Sequence, residues 1–407
     1  MNKTIKLAVA GTVLALASTA NAGIIIPAGE WTMDINGNVN MFATMTKSDD
    51  TAAPAGAIAI SKDASGEDTR FTTGTGLLPA WLGFTGTTRQ NDLDVSFTIS
   101  FQPNTSDNDS AFGMGDAGTP LNRQAFITFG DASWGSVKVG KDLGIFAGDA
   151  ILSDMTLLGV GGYITQGATS LGGIGTGYLY PGWRGQIAYT TPNMNGLQAT
   201  IAITNPNQGN TASTAATRAS DGTLQSDATV GGVNYAQDRF GVEGKVVYNM
   251  PMGKVWVSGS SYDVTGTDGI SYDATAMDIG TNLNFGNLGF TAYYYSGEGN
   301  GDGLSLNRLG GRANERDQDG GYVQATYVIP TGTKLGVAIA SSRQDLASGE
   351  PANTAAMDSN DRWTVGAYHP LTKHLNLVAE YNAVESDDHA GVKAESDSLS
   401  LGAILFF

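Results

Sequence analysis

Hydrophobic and polar residues alternate along much of this chain. The most regular run closes the sequence, where Leu399, Leu401, Ala403, Leu405 and Phe407 occupy every second position. Because successive side chains of a β-strand point to opposite faces, this run predicts a strand with one apolar face. About ten residues of this kind span a thin bilayer, provided that the strand belongs to a closed barrel with no unpaired edge.

The same alternation recurs upstream. It is clear in residues 31–46, 93–102, 197–203, 240–248 and 375–381, each with apolar side chains on one face and mostly polar ones on the other. Helical spacing of apolar residues is not sustained after residue 22. We therefore predict an all-β protein.

Two kinds of connection separate these strands. Seven are short and rich in Gly, Pro, Asn or Asp, as hairpin turns require: residues 88–92, 131–135, 192–196, 249–254, 286–287, 330–332 and 370–374. Eight are longer and polar: residues 47–78, 103–121, 142–182, 205–231, 263–273, 297–319, 344–360 and 385–396. Fifteen connections predict sixteen strands, a number that encloses a water-filled lumen. Short periplasmic turns and long extracellular loops are typical of outer-membrane barrels.

The beginning of the chain predicts export. Lys3 and Lys6 form a basic region, residues 7–17 are apolar, and Ala20-Asn21-Ala22 is a small-x-small cleavage site. The apolar stretch is too short to cross a bilayer as a helix. We expect residues 1–22 to be a cleaved signal peptide and residues 23–407 to form one barrel domain.

Composition narrows the class of protein. The 407 residues include 56 Gly and no Cys, which excludes a disulfide framework or a thiolate metal site. Without Lys3 and Lys6, 20 basic residues face 39 acidic ones, a net charge of −19 that disfavours nucleic acid as a partner.

Residues with catalytic or ligating chemistry are scarce. None of the three histidines falls in a metal-ligand spacing, so we predict no metal site and no cofactor. A Ser-His-acid hydrolase is the enzyme alternative, but its sole approximate cluster is His389 beside Ser386 and Asp387. We therefore expect a protein that is not an enzyme.

Four segments resemble a known family when taken in order. They are Leu-Gly-Phe-Thr-Gly at 82–86, Asn-Arg-Gln-Ala-Phe at 122–126, Trp-Gly-Ser-Val-Lys-Val-Gly-Lys at 134–141 and Tyr-Thr-Thr-Pro-Asn-Met-Asn-Gly-Leu at 189–197. In order and spacing the chain resembles the general porins of Gram-negative outer membranes. The resemblance implies a sixteen-stranded antiparallel transmembrane β-barrel with an infolded third loop. It also implies a homotrimer in contact with outer-membrane lipid and lipopolysaccharide, and passive diffusion of small hydrophilic solutes and ions.

The resemblance also points to a pore constriction. In the family, acids on the third loop face a row of basic wall residues across the pore. By position the acids here are Asp142, Asp149 and Asp154, and the basic candidates are Arg123, Lys138, Lys141 and Arg184. Arg123 shares its parity with Ala125 and Ile127, so a lipid or subunit-interface position stays open for it. The loop departs from the family by being apolar and glycine-rich over residues 155–177, and Trp81 stands where many relatives have Arg.

Charge distribution leads to a hypothesis about selectivity. Acidic loops facing outward would attract cations. By parity the wall is nearly balanced, with Lys138, Arg184, Arg239, Lys245 and Arg362 against Asp34, Asp94, Glu243, Asp278 and Glu380. We therefore expect a mild cation preference. Two alternatives stay open: a substrate-specific channel, in which Tyr262, Tyr293 and Tyr295 belong to a sugar-binding ladder, and an adhesin whose loops bind a partner.

Overall fold

The computed structural model describes residues 23–54, 56–63, 65–103, 105, 121–164, 169–206, 235–266, 271–300, 315–352 and 354–407. These residues contain the strand segments β1 Ile24–Ala28, β2 Trp31–Ser48, β3 Thr69–Gly74, β4 Trp81–Gln90, β5 Leu93–Gln102, β6 Leu121–Asp131, β7 Gly135–Leu143, β8 Trp183–Thr190, β9 Leu197–Thr204, β10 Tyr235–Ala236, β11 Gly241–Met250, β12 Gly253–Gly266, β13 Ser271–Phe285, β14 Leu288–Glu298, β15 Asp317–Val328, β16 Lys334–Gln344, β17 Met357–Pro370, β18 Leu375–Asp388 and β19 Lys393–Phe406. A short helix, α1 Gly148–Ser153, and a 3-10 helix, Met155–Leu158, lie between β7 and β8.

All segments belong to one antiparallel sheet that closes on itself. The closing seam joins β19 to β2, with Ser396 opposite Ser48 and Phe406 opposite Asn38. Three wall positions consist of two segments each. β3 and β4 follow one edge of β2, β10 and β11 follow β12, and β1 continues the line of β19 along the other edge of β2. The predicted barrel of sixteen strands is therefore confirmed.

The alternating pattern decides which face of each strand points outward. In β19, Leu399 and Leu401 are exposed, whereas Ser398 and Ser400 are buried in the lumen. The Ser400 hydroxyl lies 2.8 Å from that of Thr44, so polar side chains pair across the seam on the inside. An apolar exterior and a polar interior are the arrangement that a transmembrane barrel requires. Among the described helices, none is long and apolar enough to cross a bilayer.

The predicted turns occur where the sequence indicates them. Between β4 and β5, Asn91 and Asp92 both have positive φ, 48° and 62°, as a type I′ hairpin turn requires. The predicted long segments are partly wrong. β3 lies inside 47–78, β12 and β13 extend into 263–273, and β18 and β19 extend into 385–396. In the extensions of β12, β13, β18 and β19, outward positions such as Asp273, Asp387 and Glu395 are polar, so the alternation that reveals a strand disappears.

Candidate functional site

Loop 3 connects β7 to β8, and its described residues, 144–164 and 169–182, pack inside the barrel. Most of their apolar side chains are buried, and Phe146 and Leu179 are fully buried. They join one hydrophobic cluster with inward-facing aromatic residues of β12, β14 and β15, namely Trp256, Tyr262, Tyr293, Tyr295 and Tyr322. This burial is the physical reason for the apolar composition of the loop. Tyr262, Tyr293 and Tyr295 are covered by the loop, so their interpretation as an open sugar-binding ladder is wrong.

Three wall carboxylates accept hydrogen bonds from the backbone of loop 3. Glu243 on β11 accepts from the amides of Ile145 and Phe146, at 2.6 and 3.1 Å. Asp278 on β13 accepts from the amide of Ala147 at 3.1 Å. The amide groups of a loop inside a barrel need such partners, and ionised acceptors bind them more strongly than neutral ones.

Glu380 on β18 is the third of these carboxylates. One of its oxygens accepts from the amides of Val160 and Gly161, at 2.7 and 2.9 Å, and the other from the Tyr368 hydroxyl at 2.6 Å. Gly159 makes this approach possible, because a Cβ there would lie 1.9 Å from the Glu380 carboxylate. The wall therefore holds the middle of loop 3 through its backbone.

Cationic wall residues hold the acids of loop 3. Asp149 in α1 is buried and contacts the ammonium groups of Lys245 on β11 and Lys254 on β12, at 2.6 and 2.5 Å. Burial raises the pKa of the Asp149 carboxyl, but the two lysine charges and their hydrogen bonds outweigh it, so that its pKa lies below its ordinary value. Asp149 therefore stays ionised well into acid.

Asp154 forms the second such contact, at the junction of α1 and the 3-10 helix. It accepts from the Thr156 amide at 2.9 Å and from the Tyr178 hydroxyl at 2.9 Å, and Arg362 on β17 lies 3.5 Å away. Arg362 also donates to the Gly161 carbonyl at 3.0 Å. We call the six wall residues that bind loop 3 in these ways the clamp residues: Glu243, Lys245, Lys254, Asp278, Arg362 and Glu380.

A third group of charges lies where loop 3 leaves and rejoins the wall. Arg184 on β8 is buried, contacts Glu243 at 2.9 Å and donates to the Pro181 carbonyl at 3.0 Å. Lys138 on β7 bonds to Asp142, which also accepts from Gln124 at 3.0 Å. These contacts fix the two ends of the loop.

A sequence profile of Gram-negative porins matches residues 7–389. The chain belongs to the Gram-negative porin family. It is accordingly an outer-membrane channel. No curated protein matches the sequence.

The solved structures similar to this porin share its fold at low identity. The outer membrane channel DcaP of Acinetobacter baumannii superposes with a TM-score of 0.67 at 15% identity, covering 95% of this chain and 100% of its own. The anion-selective porin from Comamonas acidovorans gives 0.63 at 16% identity, covering 93% and 100%. Salmonella typhi OmpF in complex with daunomycin gives 0.61 at 16%, covering 94% and 100%.

The structure places the predicted constriction residues of the porin in three settings. Asp149 and Asp154 lie in loop 3, and Lys138 and Arg184 face the lumen. Asp142 belongs to β7 and not to the loop, so that part of the prediction is wrong.

Two predicted basic residues lie outside the lumen. Lys141 is exposed on the outer face of β7, opposite exposed Ala125, and its ammonium contacts the Asn122 carbonyl at 2.9 Å. Arg123 packs over the Trp183 ring, with its guanidinium carbon 5.7 Å from the ring centroid. Lys141 does not face the pore as the resemblance implies, because residues 138, 140 and 142 occupy the inward positions of its strand. Arg123 shares its parity with exposed Ala125 and Ile127, in keeping with the outward alternative.

Among the described residues, the charges do not form the opposed rows that the resemblance implies. Asp149 and Asp154 turn toward the clamp residues. In the described parts of β4, β5 and β6, the inward positions carry mainly hydroxyls and amides, including Thr85, Ser96, Thr98, Ser100, Gln124 and Thr128. Asp94 and Arg89 pair with each other at 2.7 Å beside a short turn. The porin thus has a nearly neutral wall on this side.

Parity assigned five of the clamp residues to the lumen, but not their partners. Lys254 was missed, because the sequence interpretation placed it in a turn. Its parity with the buried Trp256 and Ser258 is a signal that could have found it. The partners themselves depend on the path of loop 3, which has no strand period to follow.

Proposed function

We propose that this porin is a passive diffusion channel for small hydrophilic solutes and ions and that it carries out no catalysis. The observation that supports the proposal best is the hydroxyl-rich wall of β4 to β6 together with a loop 3 held by the clamp residues. Neutral hydroxyls replace part of the hydration of a passing solute without holding it. A small polar solute therefore crosses by diffusion.

The proposed channel has a mild preference for cations. The lumen charges that belong to the clamp largely compensate one another, whereas the mature chain has a net charge of −19, with 39 acidic and, without Lys3 and Lys6, 20 basic residues. Outward-facing acidic loops raise the local concentration of cations, and salt screens this effect. The reversal potential in a tenfold KCl gradient tests it. A reversal potential of the anion-selective sign would refute the preference.

Assembly is part of the same proposal. We infer a homotrimer in outer-membrane lipid, with lipopolysaccharide around the outer leaflet and residues 1–22 removed on export. The predicted signal peptide lies outside the described residues. Cross-linking of the detergent-purified protein and the mass of its amino terminus test these two points, and a monomer or an uncleaved terminus would contradict them.

Single-channel recording in planar bilayers tests the transport function itself. A general channel should show stable conductance that neutral sugars reduce only according to their size. Block by one solute class at low concentration would instead favour a substrate-specific channel, the second candidate, which a pocket beneath loop 3 supports. Negligible conductance would favour an adhesin.

A further inference from the structure

A pocket of about 210 Å³ lies in the lumen between loop 3 and the short-turn end of the barrel. Its roof is the underside of loop 3, with Leu157, and its wall comes from β13 to β16. Trp81 and Phe406 give it an apolar side, and Lys334, the first residue of β16, a cationic side. Drug-sized ligands occupy larger pockets, so this one suits a ligand with the volume of about seven water molecules.

The ammonium group of Lys334 lacks a carboxylate partner among the described residues. It lies 4.8 Å from the centroid of the Tyr368 ring, a cation–π contact. Glu380, beyond that ring, is already bonded to the Tyr368 hydroxyl and to two amides of loop 3. Asp154 also lines the pocket, but its carboxylate is bonded to the Thr156 amide and the Tyr178 hydroxyl and lies beside Arg362. A half-buried cation without a counter-charge is costly, and an anion in the pocket would remove that cost.

Two further polar atoms in the pocket lining are unsatisfied. Trp81 and Ser153 are only 4% and 6% exposed, yet the indole nitrogen of the first and the hydroxyl of the second have no hydrogen-bond partner within the described part of the chain. An indole N–H is a donor only, and a hydroxyl is a donor or an acceptor. The amide nitrogens of Asn282 and Gln324 are already bonded to protein oxygens. The unused groups therefore call for a ligand that accepts hydrogen bonds.

We propose that this pocket binds a small organic carboxylate. Its charged end lies against Lys334 and its hydrocarbon part against Trp81, Leu157 and Phe406. The proposal rests on the proposed channel function, because a solute reaches the pocket through the lumen. It names the class of solute that the porin retains: a monoanion with a ring or a short chain, held after it has passed the acidic loops.

Titration calorimetry of the detergent-purified porin tests the pocket without any conductance measurement. The probe is benzoate, and benzamide is its neutral counterpart. We expect benzoate to bind at least tenfold more tightly than benzamide. The variant K334Q should weaken benzoate binding at least tenfold, and K334R should restore most of it. The matched control K373Q removes an exposed lysine from a turn at the same end of the barrel and should leave binding unchanged.

Each outcome decides one question. Equal binding of benzoate and benzamide, or equal benzoate binding by K334Q and wild type, would refute the proposal that the pocket binds a carboxylate. Heat-modified electrophoretic mobility shows that each variant is folded, and K334R keeps the test valid if K334Q is not. A wild-type protein that binds benzoate yet conducts no current would refute the channel function and leave the binding site standing.

Discussion

Replacement of Glu380 by Gln is the sharpest test of how loop 3 is held. The Glu380 carboxylate is 1% exposed and accepts three hydrogen bonds, two from the loop amides of Val160 and Gly161 and one from Tyr368. Glutamine can keep one oxygen toward the two loop amides and turn its NH₂ group toward the Tyr368 hydroxyl, which can accept. The variant therefore loses the charge that strengthens all three bonds.

The magnitude follows from these contacts. A hydrogen bond to a charged group contributes about 1.5–3 kcal/mol and one between neutral groups about 1, so three weakened bonds amount to about 3 kcal/mol of local stability. Opening of the loop around Val160 should then become about a hundredfold more frequent. Hydrogen exchange of peptides covering residues 155–164 measures this directly. The current of single channels should become noisier as the loop moves.

The control is E385Q on the same strand, because Glu385 is partly exposed and, among the described residues, its ion pair is with Lys393. Unchanged exchange around Val160 in E380Q, or equal acceleration in E385Q, would show that the wall carboxylates do not hold the loop.

Four further predictions follow from the same contacts. Replacing Asp149 by Asn leaves Lys245 and Lys254 uncompensated. One charge about 5 Å from a passing ion changes the local concentration of that ion about fourfold in water, so the reversal potential should shift toward anion selectivity. An unchanged reversal potential would exclude Asp149 from the ion path. Because the pKa of Asp149 lies below its ordinary value, its charge contributes throughout the range above the unfolded pKa and is lost only as pH falls through the lower folded value. The difference between D149N and wild type should therefore stay constant from about pH 7 to pH 4, and convergence within this range would contradict the lowered pKa. R184Q leaves Glu243 without its cation and should lower the free energy of unfolding in denaturant by about 3 kcal/mol. R239Q removes ion pairs that are more exposed and should lower the free energy of unfolding by less than about 1 kcal/mol. Equal losses in the two variants would refute a structural role for the buried pair. G159A places a Cβ 1.9 Å from Glu380 and should accelerate exchange in loop 3 as E380Q does, and normal protection would show that the loop has room to shift.

The wall of the barrel could be predicted from the sequence, because a strand in a bilayer leaves a pattern. The lipid-facing positions of β19 must be apolar, whereas its lumen positions need not be. The faces of Leu399 and Ser400 can therefore be assigned from the sequence without any knowledge of the fold. The short turns can be predicted from residues that tolerate positive φ, such as Asn91 and Asp92.

The candidate site was predictable only in part. Periodicity gave the inward direction of Arg184, Glu243 and Glu380, since each lies on a regular strand. It could not give their partners, because the partners lie on an irregular loop whose path is decided by packing against Trp256 and the lumen tyrosines. The expectation of opposed charged rows came from the resemblance, and it was wrong because the acids of this loop turn toward the strands behind it.

The seam of the barrel has a consequence for biogenesis. The edge of β2 is covered by β1 over one half and by β19 over the other, and Gly37 exchanges two backbone hydrogen bonds with Phe407 where they meet, at 2.9 and 3.0 Å. A truncated product would expose a row of amides to hydrocarbon, each costing several kcal/mol. We therefore expect early and late parts of the polypeptide to pair before insertion is complete, and a molecule that lacks either part to insert poorly.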